Sequence, residues 1–253
     1  MTLRILDLFA GIGGMSYGLT LASPLFQPAG FVEVDSFCRA VLQKNFPGVP
    51  VFGDVRDYRG GEVGSVDVIC GGPPCQPFST AGDRDGMADD RWLWPEMYRI
   101  VVAERPRWVV VENVFGFLEM ALEEVCADLA SAGYVAWPVV LGAVSVDAPH
   151  WRRRVFVVAN ADFDEQAGGR PGEVSGPSVE ERLSEFDAVQ RAGGADCLWP
   201  GGGWRWASEP GVARMADGVP GRVDRNRALG NAVVPQILEM FGLAILEVEC
   251  EQA

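Results

Sequence analysis

The feature that most constrains the fold is an alternation running through the first 160 residues. Short apolar runs, "RILDLF", "AGFVEV", "VDVICGG", "RWVVVENV", "AWPVVLGAV" and "RVFVVAN", are separated by stretches with helical patterning. Several runs are rich in β-branched residues, as expected of strands buried on both faces by crossover helices. After Phe117, residues Leu118, Ala121, Leu122, Val125 and Leu129 recur at helical spacing, and Gly133 supplies a stop. The alternation predicts an α/β protein with a doubly wound, mostly parallel sheet. A chain of 253 residues has room for one good core and a smaller unit.

The character changes near Asn160. Residues 161–203 hold nine glycines, several acids and few apolar clusters, which reads as a long surface segment or insertion. Residues 204–228 are rich in arginine and tryptophan. The segment "VVPQILEMFGLAILEVE" then places Ile237, Met240, Phe241, Ala244, Ile245 and Val248 on one helical face, predicted to pack back on the first unit. The expected division is 1–160, 161–228 and 229–253.

Charge and cysteine usage narrow the function classes. The net charge of −14 argues against a protein that coats nucleic acid non-specifically, but leaves room for a local basic face. Of 21 basic residues, 20 are arginine, the side chain suited to bidentate phosphate and base contacts. The six cysteines are scattered without a C-x-x-C pair, so thiols are expected and not a disulfide framework. With His150 as the only histidine, a zinc site is disfavoured and no metal is expected. No apolar run is read as long enough to cross a bilayer, and the start lacks the layout of a secretory signal, so a cytoplasmic protein without a membrane partner is expected.

Two stretches carry chemistry. "DLFAGIGG", Asp7 to Gly14, follows the first strand and opens a helix. Glycines there let a backbone approach a ligand, and a helix N-terminus favours negative charge. The dinucleotide fingerprint would need a glycine at 16, where Ser16 stands. Glu33 ends the second strand, where an acid accepts from ribose hydroxyls, and Asp54 in "FGDVRD" is within reach of an adenine amino group. Together they point to an adenosine-containing cofactor.

The second stretch is "GGPPCQPFS", Gly71 to Ser79. Pro73 and Pro74 cannot continue the sheet, so the turn stiffens and presents the Cys75 thiol at a strand end. Cys38, Cys70 and Cys126 sit in apolar elements and read as core residues. A nucleophilic cysteine needs partners. Glu112, in "VVVENV", is expected to face the same crevice, where a partly dry pocket raises a carboxyl pKa. Strand alternation before "VFVV" places Arg152 and Arg154 on one face and Arg153 on the other.

With these residues in hand, the chain resembles the DNA (cytosine-5) methyltransferase family, in its compact bacterial or phage form, over almost its whole length. "DLFAGIGG", "FVEVD", "GD", "GGPPCQPFS", "LWPEMYR", "ENV", "PHWRRR" and "ALGNAVVP" appear in the family's order. The resemblance implies a Rossmann-like S-adenosylmethionine-dependent methyltransferase fold with a small inserted target-recognition domain. It implies S-adenosyl-L-methionine as donor, S-adenosyl-L-homocysteine as product, and Asp7, Phe9, Gly11, Gly13, Gly14, Glu33, Val34, Asp54, Val55 and Asn231 around the cofactor. Cys75 would add to carbon 6 of a flipped cytosine, with Pro74 helping to hold the base. Glu112 would engage N3 and the exocyclic amine, Arg154 the O2, and Arg152 would support the site. Base extrusion is needed because attack comes from above a ring face that is stacked in the duplex.

His150 stands where the family has glutamine in its Gln-x-Arg-x-Arg element, and reads as a structural hydrogen-bonding position. Ser79 and Arg84 on the loop after Cys75 are candidate phosphate contacts, although Asp83, Asp85, Asp89 and Asp90 stand nearby. Arg205, Arg214, Arg222 and Arg225 lie in an arginine-rich stretch expected to meet DNA. The implied partner is double-stranded DNA, with a cognate restriction endonuclease as a further candidate and a monomeric enzyme expected. A tRNA methyltransferase on the same fold is the alternative. A non-catalytic DNA-binding relative would have lost Cys75 or Glu112. A nicotinamide-dependent dehydrogenase leaves "PPC" and "ENV" without purpose.

Overall fold

A computed structural model describes residues 2–74, 92–146, 148, 151–161 and 222–251. Its strands are β1 (Leu3–Leu8), β2 (Phe26–Val32), β3 (Val51–Phe52), β4 (Val68–Gly71), β5 (Trp108–Val114), β6 (Val135–Leu141) and β7 (Arg154–Asn160). They form one sheet in the order β3-β2-β1-β4-β5-β7-β6. Strands β1 to β5 pair in parallel, and β7 runs antiparallel to both β5 and β6. The doubly wound, mostly parallel sheet predicted from the alternation is the one observed. The helices are α1 (Gly14–Ala22), α2 (Ser36–Asn45), α3 (Trp94–Glu104), α4 (Phe117–Met120), α5 (Leu122–Ser131), α6 (Arg222–Asn231) and α7 (Pro235–Glu251).

Alternation along the strands divides the core in two. On one face, Leu6, Leu8, Ile69, Val109, Val111, Val155 and Val157 pack against Trp94, Met97 and Ile100 of α3 and Val125 and Leu129 of α5. On the other, Leu3, Ile5, Val68, Cys70, Val110 and Phe156 pack against Leu19 of α1 and Ile237, Leu238 and Ile245 of α7. Burying each such side chain stabilises the fold by about 1.5–3 kcal/mol. A Cβ on Gly18 would sit 2.3 Å from the Pro235 carbonyl oxygen and 2.5 Å from Leu238 Cβ. Gly18 is therefore what lets α1 and α7 touch backbone to backbone.

Three expectations are corrected. In α7, Ala244 is exposed, whereas Leu238 and Gly242 are buried. The close contact at Gly18 sets the helix's rotation, which apolar spacing alone does not. The helix after Phe117 is two pieces, α4 and α5, meeting at Ala121, which has non-helical φ −145°. By length and composition, Ala228–Cys250 is apolar enough to cross a bilayer, with mean hydropathy 1.6. Here it forms parts of two helices, broken at 232–234, the second packed on α1.

Candidate active site

The parallel strands all end at one edge of the sheet, and antiparallel β7 begins there. Strand order reverses between β1 and β4, the place where open α/β sheets bind ligands. The glycine turn, Glu33, Asp54, Pro74, Glu112 and Arg154 all stand at this edge.

The turn after β1 carries left-handed backbone at Phe9 (φ 54°), Gly11 (φ 54°) and Gly13 (φ 85°). Among the described residues, no atom lies within 4 Å of where a Gly11 Cβ would point, so they leave that side of the turn open. A Gly13 Cβ would instead run into Phe46 and Leu42, at 2.7 and 2.9 Å. The Glu33 carboxylate ties this turn to the next one. Its Oε2 accepts from Gly11 N at 2.7 Å and its Oε1 from Asp35 N at 2.7 Å. Asp35 in turn caps α2 by accepting from Phe37 N and Cys38 N. Asp54 lies at the end of β3, accepts from Arg56 N at 3.0 Å, and pairs with the Arg56 guanidinium at 3.2 Å. Val34, between Glu33 and Asp35, is exposed.

Two residues expected around the cofactor are inside the protein instead. Asp7 is fully buried, and its Oδ2 accepts from both Ser16 N (3.1 Å) and Ser16 Oγ (2.8 Å). It braces the start of α1 from behind the turn. Val55 is also buried, its side chain in the core beneath the site. Burial raises the Asp7 carboxyl from 3.8 to about 7, opposed by the bonds from Ser16. The Asp7 Oδ1 meets no donor in hydrogen-bonding geometry among the described residues. The Cys70 thiol beside it is a weak donor at best.

The second half of the site is built on β4, β5 and β7. The Gly72–Pro73–Pro74 backbone leaves β4 toward Cys75. A Cβ on Gly72 would lie 3.1 Å from Glu112 Oε2, so the turn passes directly over that carboxylate. Glu112 Oε1 is 2.9 Å from Arg154 Nε, and 16% of the Glu112 side chain remains exposed. Burial pushes the Glu112 carboxyl up, and the charges of Arg154 and Arg152 pull it part of the way back. Asn113, which sequence reasoning did not single out, donates from Nδ2 to the Pro73 carbonyl at 3.1 Å. A buried asparagine in a valine-rich strand was the signal for it, since a buried amide needs a partner.

Arg152 does not follow the predicted strand alternation, because β7 begins only at Arg154 and Arg152 has φ 28°. Its Nη2 donates to the carbonyls of Gly230 (2.8 Å) and Ala232 (2.6 Å), on either side of Asn231. Asn231 is exposed at the end of α6. A Cβ on Gly14 would touch Val233 Cγ1 at 3.0 Å. The C-terminal segment thus returns to the glycine turn, with Arg152 as its tie. Cys75, Ser79, Arg84, His150, Arg205 and Arg214 lie outside the described residues, and Arg222 and Arg225 stand on α6.

Comparison with known proteins agrees with this architecture. The profile of the C-5 cytosine-specific DNA methylases matches residues 3–189. The Type II methyltransferase M.AquIA of Picosynechococcus is 36% identical over 182 residues, which cover 63% of this chain and 73% of that protein. M.NlaX of Neisseria lactamica, also a Type II methyltransferase, is 33% identical over 166 residues, covering 64% of this chain and 53% of that protein. With M.DdeI the coverage of the relative is 51%, so the chain spans about half the length of M.NlaX and M.DdeI. An E. coli prophage protein classed as a DNA modification methyltransferase superposes with TM-score 0.53 at 28% identity, covering 70% of this chain and 51% of that one. The S. pombe Dnmt2 methyltransferase shares the fold at TM-score 0.53 and 22% identity, covering 71% and 58%. The chain belongs to the C-5 cytosine-specific DNA methylase family.

Proposed function

We propose that the chain transfers a methyl group from S-adenosyl-L-methionine to carbon 5 of a cytosine flipped out of duplex DNA. The observation that carries this reading is the Glu112–Arg154 pair, 2.9 Å apart beneath the Gly72–Pro73–Pro74 turn that leads into Cys75. A nucleophile's base-side partners and a ligand turn share one sheet edge, as two-substrate chemistry requires.

The residues present fit the donor. The open side of Gly11 leaves backbone accessible, and Glu33 is held by two N–H groups with lone pairs left for ribose hydroxyls. Asp54 stands at the next strand end for the adenine amine, and Phe9, Gly13, Gly14, Val34 and Asn231 complete the surround. S-adenosylmethionine, when bound, supplies an electrophilic methyl group on a sulfonium. Asp7 and Val55 support this wall from inside.

The chain's own residues perform the rest. The Cys75 thiolate adds to carbon 6 of the cytosine, and the ring electrons make carbon 5 nucleophilic. Glu112 holds N3 and the exocyclic amine and shares a proton with N3 as charge builds; its raised pKa suits a proton donor. Arg154 fixes that carboxyl and reaches the base O2. After carbon 5 takes the methyl group, its proton passes to water. The Cys75 thiolate then leaves, restoring the ring. Pro73, held by Asn113, and Pro74 fix the direction of the thiol. We assign target recognition to the segment 161–228, whose last residues form the start of α6.

Methyl transfer from tritiated donor to duplex DNA and to tRNA tests the reading. DNA should be labelled and tRNA should not, as the names of the Type II relatives suggest. Cys75→Ser should abolish labelling while leaving donor binding by calorimetry intact. Substantial turnover in that variant would refute the covalent route.

A further inference from the structure

The three adjacent arginines are used in three ways. Arg154 grips Glu112, and Arg152 is bound to two backbone carbonyls. Arg153 is exposed, and its guanidinium lies over the Phe115 ring, 5.3 Å from the centroid. Among the described residues no carboxylate pairs with it.

Strand register explains the stacking. Val114 pairs with Arg154 at the end of the β5–β7 ladder, so the next step outward sets Phe115 opposite Arg153. Of the three arginines, only Arg154 and Arg152 act on the Glu112 carboxyl. Arg153 therefore stands outside the Glu112 pocket, not in it. The surface around it is unusually apolar for an exposed rim: Phe115 is 44% exposed, Val114 42% and Trp151 61%.

An exposed guanidinium resting on an exposed aromatic ring, with a second aromatic two residues before it, has the chemistry that meets a nucleic-acid strand. The cation takes a phosphate, and the rings take sugar or base faces. The ring also restrains the guanidinium, so less freedom is lost when a phosphate arrives. The charge is conspicuous in a chain of net charge −14. Arg153 is also bonded in sequence to Arg154, their Cα atoms about 3.8 Å apart. This makes the rim continuous with the pocket that receives the base.

We infer that Arg153, carried on Phe115, contacts a phosphate of the DNA strand flanking the flipped cytosine. The inference rests on the DNA methyltransferase reading above. It concerns a positioning contact to the backbone, not a group that touches the reacting atoms.

The test is fluorescence anisotropy with a labelled duplex of mixed sequence, titrated with salt, on the wild type, Arg153→Ala, Arg153→Lys and Phe115→Leu. Arg153→Ala should weaken binding roughly three- to tenfold at low salt and reduce the log K against log salt slope by about 1. Arg153→Lys should keep the slope while losing part of the affinity, because a lysine keeps the charge but not the planar stack. Phe115→Leu should weaken binding about two- to fourfold with the slope unchanged. All three should melt at the wild-type temperature, since both side chains are exposed. An Arg153→Ala variant with wild-type affinity and slope would overturn the inference. So would loss of binding to vesicles containing phosphatidylserine with DNA binding untouched, which would make the rim a lipid contact. If the wild type neither binds nor methylates duplex DNA, it is the functional reading that fails.

Discussion

Asp7 makes the stability of this protein depend on pH in a way that a single substitution should remove. Its carboxyl is fully buried, and burial raises its pKa from 3.8 to about 7. Between these values the unfolded chain releases a proton that the folded chain retains. Asp7's contribution is therefore fully present below pH 3.8 and is lost as pH rises through about 7. At about 1.4 kcal/mol per pH unit, the complete loss is on the order of 4 kcal/mol. Over a practical range of about pH 5 to 8, linkage gives a loss of about 2–3 kcal/mol.

Asp7→Asn removes the ionisation and keeps an oxygen for Ser16 N and Oγ. The new amide group takes the place of Oδ1, which meets no donor in hydrogen-bonding geometry among the described residues, and has to find an acceptor inside the core. That change costs about 1–3 kcal/mol at every pH. The variant should therefore lie within about 1 kcal/mol of the wild type near pH 5, where part of the Asp7 contribution has already gone, and should be the more stable of the two near pH 8. Urea unfolding of both proteins at stepped pH, followed by tryptophan fluorescence, reads the difference directly. Parallel stability curves for the two proteins would refute the assignment of a raised carboxyl to Asp7. An effect of the opposite sign would show that Ser16 holds a stabilised carboxylate there.

Two further outcomes follow from contacts within the fold. Arg154→Ala removes the guanidinium that lowers Glu112, so that carboxyl should rise further. Methyl transfer should fall about a hundredfold or more, and the high-pH limb of kcat/KM should move upward; an unmoved limb would count against Glu112 as the proton donor. Gly18→Ala drives a methyl group into the Pro235 carbonyl and Leu238. It should cost about 1–3 kcal/mol and lower the melting temperature by several degrees, and an unchanged melting temperature would disprove the close approach of α1 and α7.

What was legible in the sequence was whatever depends on near neighbours. β-Branched runs such as Val109–Val111 and Val155–Val157 marked strands because both faces are covered. Glu33 and Glu112 could be placed because each ends or nearly ends such a run. What was not legible depends on where distant elements meet. Asp7 looked like a ligand contact because it borders the glycine turn, but side-chain direction within β1 sends it inward to Ser16, nine residues on. Arg152 looked like part of a strand, yet its backbone turns before β7 begins and delivers it to 230–232.

The same distinction explains Glu249, an acid that a helical wheel would leave in solvent. It is buried at the end of α7, accepts from Trp108 Nε1 at 2.8 Å and ion-pairs with Arg107. Its partners precede it by about 140 residues, at the start of β5. A buried carboxylate is tolerated only when a cation and a hydrogen bond compensate it. Its burial therefore presupposes that α7 has already docked on the sheet. Glu112 near the far end of the same strand meets the same requirement through Arg154. Strand β5 thus has an ion pair near each end, one locking the C-terminal helix to the sheet and the other in the candidate active site. The first needs only to be satisfied. The second keeps part of its surface open, and that difference is what leaves its carboxyl reachable in the candidate site.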